Sequence, residues 1–256
     1  MNTVQRDLPA PGVSEAAHSE RLQRIIRREI EQAGGRISFA RYMELALYAP
    51  GLGYYSAGLQ KFGAGGDFTT APETSPLFAG CIARQCQQVL MQRTGSDILE
   101  VGAGSGVLAC DVLSECEWLE CLPRQYLILE LSAELRARQQ ASLAQRVPHL
   151  QERVRWLDTL PAAGFQGVVL ANEVLDAMPV HRLRREAGGI RECYVGYEAG
   201  RFEWRYGPVS DAALAVRFDT LLRDTEDLPE VLESEVGAMA SAWITSVAQM
   251  LEYGLL

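Results

Sequence analysis

ILEVGAGSGV, residues 98–107, is the stretch on which the fold turns. It begins as a short apolar strand, carries an acidic residue at Glu100, bends through Gly102, Gly104 and Gly106, and resumes as a helix. Glycines at that spacing allow a sharp turn and leave no side chain between the backbone and a ligand. A dinucleotide loop counted from Gly102 needs glycine again at position 107, where this chain has Val107. Glu100 would repel a pyrophosphate, but it suits a ligand that carries an ammonium and a sulfonium. The loop therefore points to S-adenosylmethionine, with a nicotinamide dinucleotide as the outside alternative.

Outward from this loop, strands and helices alternate. Strands are expected near 97–101, 126–130, 153–156 and 167–171, and helices near 105–117, 132–145 and 173–178. Apolar runs such as YLILE and GVVLA read as strands buried on both faces, which argues for a mostly parallel sheet with helices on both sides. Ligands of such sheets sit at the carboxyl ends of the strands. Ahead of the sheet, an amphipathic helix from Ser14 to Ala33 stops at Gly34-Gly35, and Ser38 caps a second helix over 39–48. Six glycines between Gly51 and Gly66 mark a long loop of the kind that folds over a ligand. Further on, 190–195 and 201–206 alternate as a hairpin, and 234–253 reads as a last long helix.

These readings divide the chain into a flexible N-terminus (1–13), an N-terminal helical cap with a lid loop (14–93) and an α/β ligand-binding domain (94–256) with a β-hairpin insertion near 190–206. The apolar ending YGLL reads as a cut made where a further strand should begin.

Composition narrows the function. With 256 residues and 48% hydrophobic content the chain can bury one large core or two modest ones. A net charge of −9 argues against a nucleic-acid partner, because such surfaces are basic. The arginines of 21–28 alternate with Leu22, Ile25 and Ile26 at helical spacing and read as the wet face of a helix. The six cysteines contain no C-x-x-C pair and the three histidines are scattered, so no metal site is expected. No apolar run reaches the roughly 18 residues of a membrane span, and the N-terminus has no signal-peptide core, so a cytoplasmic location is expected.

Acidic residues stand at the expected strand ends. Glu130 closes the second strand 28 residues after Gly102, where a carboxylate accepts hydrogen bonds from ribose hydroxyls or simply faces solvent. The Trp118–Pro123 segment accounts for a spacing longer than the usual ~20. After the third strand, Trp156 and Asp158 stand where an adenine could stack and its amino group be bound; a tryptophan there is as often core. After the fourth, Asn172, Glu173 and Asp176 follow directly, and one helical turn would put both carboxylates on one side. Such a pair can grip a guanidinium through bidentate, charge-assisted hydrogen bonds and orient one nitrogen. Helix capping by Asn172, with the acids favouring the dipole, accounts for the same residues equally well.

GLGYYS, GDFTTAPETSPLFA, LEVGAGSGVLACDVL, LELSAELRARQ and ANEVLDAMPVHRL occur in this order, and together they resemble the MidA-like family of S-adenosylmethionine-dependent methyltransferases. The resemblance spans roughly residues 20–256. It implies a class I methyltransferase (Rossmann-like) α/β fold with an N-terminal helical cap, and a protein arginine as methyl acceptor, a respiratory complex I subunit in at least one member. It implies that Glu100, Gly102, Gly104 and Gly106 hold the methionine part of the cofactor and Glu130 the ribose. Asn172, Glu173 and Asp176 would face the methyl group, and Gly66, Asp67, Phe68 and Thr69 would close a lid. Two departures stand out: Ala103 replaces the family's usual proline, and the chain stops at Leu256 where the family continues. The sheet is therefore expected to lack its last strands, leaving the fourth strand with an exposed edge. A small-molecule O- or N-methyltransferase, or an assembly factor that binds the cofactor without turnover, are the alternative readings.

Overall fold

The computed structural model describes residues 12–56, 70–223 and 225–256. Helix α1 (Val13–Gln32), strand β1 (Ile37–Ser38) and helix α2 (Phe39–Tyr48) come first. The short α3 (Ala71–Thr74) and α4 (Pro76–Leu90) lead into β2 (Asp97–Val101), α5 (Val107–Trp118), β3 (Tyr126–Leu129), α6 (Ala133–Arg146), β4 (Val154–Leu157) and β5 (Phe165–Leu170). There follow β6 (His181–Glu186), β7 (Gly189–Glu198), β8 (Arg201–Gly207), α7 (Ala212–Leu222), β9 (Leu232–Val236), α8 (Ala238–Met250) and β10 (Leu251–Leu255). The chain forms two compact units, Met1–Ala57 with Pro179–Ala238, and Gly58–Met178 with Met239–Leu256.

The first unit is an antiparallel sheet in the order β1-β7-β6-β9, with β8 paired to the long β7. Ser38 caps α2 by accepting the Arg41 N–H at 3.2 Å, and α1 ends where the Gly35 N–H reaches back to the Ile30 carbonyl at 2.8 Å. Ile26 and Ile30 of α1 and Leu45 of α2 bury against Ile37 and Val195, because β1 pairs with β7 at Ile37 and Val195. That pairing changes the expected domain division. The hairpin around 198–200 is not an insertion in the ligand-binding domain; it belongs with the N-terminal helices, and the boundary expected at residues 93/94 falls inside the second unit. Residues 1–11 of the expected flexible N-terminus lie outside the described residues, and Val13 already begins α1.

The second unit carries the parallel sheet, in the order β10-β5-β2-β3-β4. Alternation along each strand splits its side chains between two layers. Ile98, Tyr126, Ile128 and Val168 face Ala79, Ala83, Val112, Leu113 and Leu143 of α4, α5 and α6. Leu99, Leu127, Phe165 and Val169 face Val247 and Met250 of α8. Both faces are thus apolar, which is why the strands read as continuous hydrophobic runs.

Two expectations are corrected at the end of the sheet. The long helix expected over 234–253 is instead β9, then α8, then β10, because Leu251–Leu255 extends and pairs parallel with β5. The edge of the fourth strand expected to be exposed is therefore covered. Close approach makes glycine obligatory on this pairing: a Cβ on Gly167 would lie 1.8 Å from the Asp97 carbonyl oxygen, and one on Gly254 would lie 1.7 Å from that of Gly167. Replacing Gly167 with alanine is expected to cost at least about 2 kcal/mol in urea unfolding. An unchanged midpoint would contradict the β2-β5-β10 register.

Candidate functional site

The site is built at the carboxyl edge of the parallel sheet. Gly102, Gly104 and Gly106 have φ of 68°, 54° and 81°, a region in which L side chains are strained. The Gly102 N–H donates to the Leu129 carbonyl at 3.1 Å, and the Gly106 carbonyl accepts from Cys110 at 3.1 Å as α5 begins. Space is as limiting as conformation. A Cβ on Gly102 would come 3.3 Å from Val174, and one on Gly106 would come 3.1 Å from the Gln139 Cα. Within the loop, the Ser105 hydroxyl bonds the Glu73 carboxylate of α3.

Glu100 stands directly beneath this loop, on the strand face that carries Ile98. Its carboxyl group is buried and accepts the Tyr126 hydroxyl at 2.7 Å. Burial pushes it up to about 7; the Tyr126 hydrogen bond opposes this, and the Glu130 charge adds to it. Glu100 is therefore a buried group of the sheet's inner layer rather than part of an exposed wall.

Glu130 follows β3 and is also buried, with its two oxygens separately engaged. Oε1 accepts the Ser132 N–H at 3.0 Å, and Oε2 accepts from the Gln139 amide at 3.2 Å. Arg136 links the neighbouring strand ends by donating to the carbonyls of Glu130 and Leu157 and pairing with Asp158 at 2.6 Å. Asp158 is otherwise exposed at the end of β4. Trp156 takes the core alternative: it packs against the α4–α6 layer, and its indole N–H is given to Gln139 at 2.8 Å.

Asn172, Glu173 and Asp176 follow β5 as expected, but not on a helix. Residues 172–178 form turns, and Glu173 has φ of 51°, so the shared helical face is corrected to a strained loop. Glu173 and Asp176 are exposed and Asn172 is half-buried. Val174 between them lies against Gly102, which brings this segment to the glycine loop. Gly66, Asp67, Phe68 and Thr69 lie outside the described residues. Among the described residues no group of three or more possible ligands could hold a metal ion.

Sequence reasoning missed Gln139, Ser142 and Arg136, which tie α6 to the loop and to the strand ends. The signal was present: Gln139 stands four residues before Leu143, so a polar side chain occupies the buried face of an otherwise polar helix. A cavity of about 720 Å³ opens at the amino ends of β2, β3 and β5, lined by Asp97, Arg124, Gln125, Arg155 and Gln166, and reaches Leu157 and Thr159 on either side of Asp158.

The cofactor fit rests on this geometry: a glycine cradle open to backbone approach, next to a buried carboxylate with acceptor capacity to spare. Comparisons agree. The family described as "Putative S-adenosyl-L-methionine-dependent methyltransferase" matches residues 81–256, and the chain belongs to that family. A crystal structure of a COG1565 superfamily member from Burkholderia thailandensis, bound to S-adenosyl-homocysteine, is 45% identical with a TM-score of 0.86 over 96% of this chain and 63% of its own. The mitochondrial protein arginine methyltransferase NDUFAF7 of Danio rerio is 30% identical over 64% of this chain and 44% of its own length. Its Caenorhabditis elegans homolog is 29% identical over 73% and 49%. The chain thus spans about half the length of these curated relatives.

The buried carboxyl group beneath the loop gives a pH signature. Because Glu100 is raised from 4.5 to about 7 in the fold, its contribution to stability is complete below pH 4.5 and is lost as pH rises through about 7. Glu100→Gln should remove that loss, so that the gap in unfolding free energy between variant and parent widens by up to roughly 3 kcal/mol from pH 4.5 to pH 8. Parallel pH profiles for the two proteins would contradict the burial of an ionisable group here.

Proposed function

We propose that this chain, a member of the S-adenosylmethionine-dependent methyltransferase family, provides the cofactor site and acceptor-facing groups of an enzyme that methylates arginine in a protein substrate. The observation that carries the reading is the approach of Val174 to the left-handed Gly102, which brings the segment bearing the exposed Glu173 and Asp176 to the glycine loop. When bound, S-adenosylmethionine supplies a methyl group already activated on a sulfonium. The residues of this chain therefore have to bind and position, since little further activation is required.

Gly102, Gly104 and Gly106 leave the backbone bare for the amino-acid part of the cofactor, and the Glu100 carboxylate beneath them favours a cationic ligand when ionised. Glu130 has acceptor directions left for two hydroxyl donors, and Asp158 stands one strand further on for the base. Glu173 and Asp176 are exposed carboxylates that would hold a guanidinium by paired hydrogen bonds and turn one nitrogen toward the methyl position, with Asn172 alongside. Support for arginine is the chemistry of that pair together with the names of the relatives, at 29–30% identity.

Two substitutions separate binding from transfer. Glu173→Gln is expected to lower methyl transfer into protein about 100-fold or more while S-adenosylmethionine affinity stays within about threefold. Loss of cofactor binding instead would remove Glu173 from the acceptor side. Gly104→Val, which places a β-branched side chain at φ of 54°, should abolish calorimetrically measured binding. Retained affinity would contradict the loop assignment.

A further inference from the structure

Gln139 is fully buried in α6 and makes three hydrogen bonds that leave its amide a single orientation. The Trp156 indole nitrogen can only donate, so the group facing it at 2.8 Å must be the amide oxygen. The NH₂ group then faces two acceptors, the Gly104 carbonyl at 3.1 Å and Glu130 Oε2 at 3.2 Å. No other rotation of the amide satisfies all three. One turn along α6, the Ser142 hydroxyl donates to the Ser105 carbonyl at 2.9 Å. One face of α6 therefore takes successive carbonyls of the glycine loop, with Gly106 resting on the Gln139 backbone.

Two consequences follow for ligand binding. Because the peptide is trans, holding the Gly104 carbonyl down on α6 turns the Ser105 N–H to the opposite side of the loop. And because Gln139 occupies one direction of Oε2 while Ser132 occupies one of Oε1, the carboxylate is fixed with one free acceptor direction on each oxygen. That is the pattern a vicinal diol requires.

We propose that Gln139 is the positioning residue of the cofactor site, its amide locked by Trp156 so that it orients the Glu130 carboxylate and the Gly104–Ser105 peptide together. The assignment rests on the reading of the loop and Glu130 as the S-adenosylmethionine site. It adds a residue that touches no ligand and acts through two groups that do.

The test is S-adenosylhomocysteine binding by calorimetry to the full chain and to two variants, at pH 8 and pH 6. Gln139→Glu is isosteric and retains an oxygen for Trp156, but it sets a carboxylate against Glu130 and the Gly104 carbonyl. At pH 8 its affinity should fall about tenfold or more, the scale of a lost hydrogen bond to a charged group. At pH 6 protonation returns a donor to that position, so the ratio to the parent should shrink. The parent profile is the baseline for the other ionisable groups here, Glu100, Glu130, Arg136 and Asp158. Gln139→Met, which can supply no donor, should be weak at both pH values.

Parental affinity for Gln139→Glu at pH 8, or a deficit that does not move with pH, would overturn the proposal. If Gln139→Glu does not fold, affinity of Gln139→Met within about twofold of the parent would overturn it in its place. Failure of the parent to bind S-adenosylhomocysteine at all would be a different outcome, since it would remove the site on which the proposal stands.

Discussion

Three left-handed glycines between β2 and α5 are held from both sides, by Val174 above Gly102 and by the Gln139 backbone against Gly106. This close backbone contact is the constraint from which the rest of the second unit follows. It fixes where α5 starts and how near α6 can come, and it makes the end of β5 a neighbour of the end of β2. A side chain at Gly106 would press on the α6 backbone, and one at Gly102 would press on Val174. The loop thus presents bare backbone at three of its positions, and the side chains around it come from flanking strand ends and from the buried face of α6.

Beneath the loop two carboxyl groups are buried within one layer, and they are treated differently. Glu130 is satisfied by a backbone N–H and an amide, whereas Glu100 has one hydroxyl partner, and burial carries it up to about 7. A cationic ligand above the loop would favour the charged form of Glu100 and so relieve part of the cost of burying it. On the proposed reading, ligand binding and the stability of the strand ends would be coupled through this one group. Such coupling is expected where charges are placed for function rather than for folding.

Much of this was legible in the sequence because it rests on local rules. The three central strands β2, β3 and β5 were marked by apolar runs with acidic residues at their ends, the glycine spacing implied positive φ, and Ser38 announced its helix. What was not legible depends on long-range pairing. Ile37 meets Val195 across more than 150 residues, and nothing near 190–206 indicates which sheet the hairpin will join. Leu251, Glu252 and Tyr253 continue a helical pattern in sequence, but β5 offers this segment backbone partners and it extends. Helical spacing over 173–178 was overridden because Glu173 adopts a left-handed conformation, which no periodicity reveals. Gln139 was passed over because a polar residue in a polar helix looks solvated, although its spacing of four from Leu143 marked the buried face.

The most direct measurement is a crystal structure of the full-length protein with S-adenosylhomocysteine. The account requires the ribose hydroxyls within hydrogen-bonding distance of Glu130, the amino-acid moiety over Gly102–Gly106, and the sulfur turned toward the segment that begins at Asn172. A ligand seated at the amino ends of the strands, between Arg124 and Arg155, or one that leaves Glu130 without a contact, would contradict it.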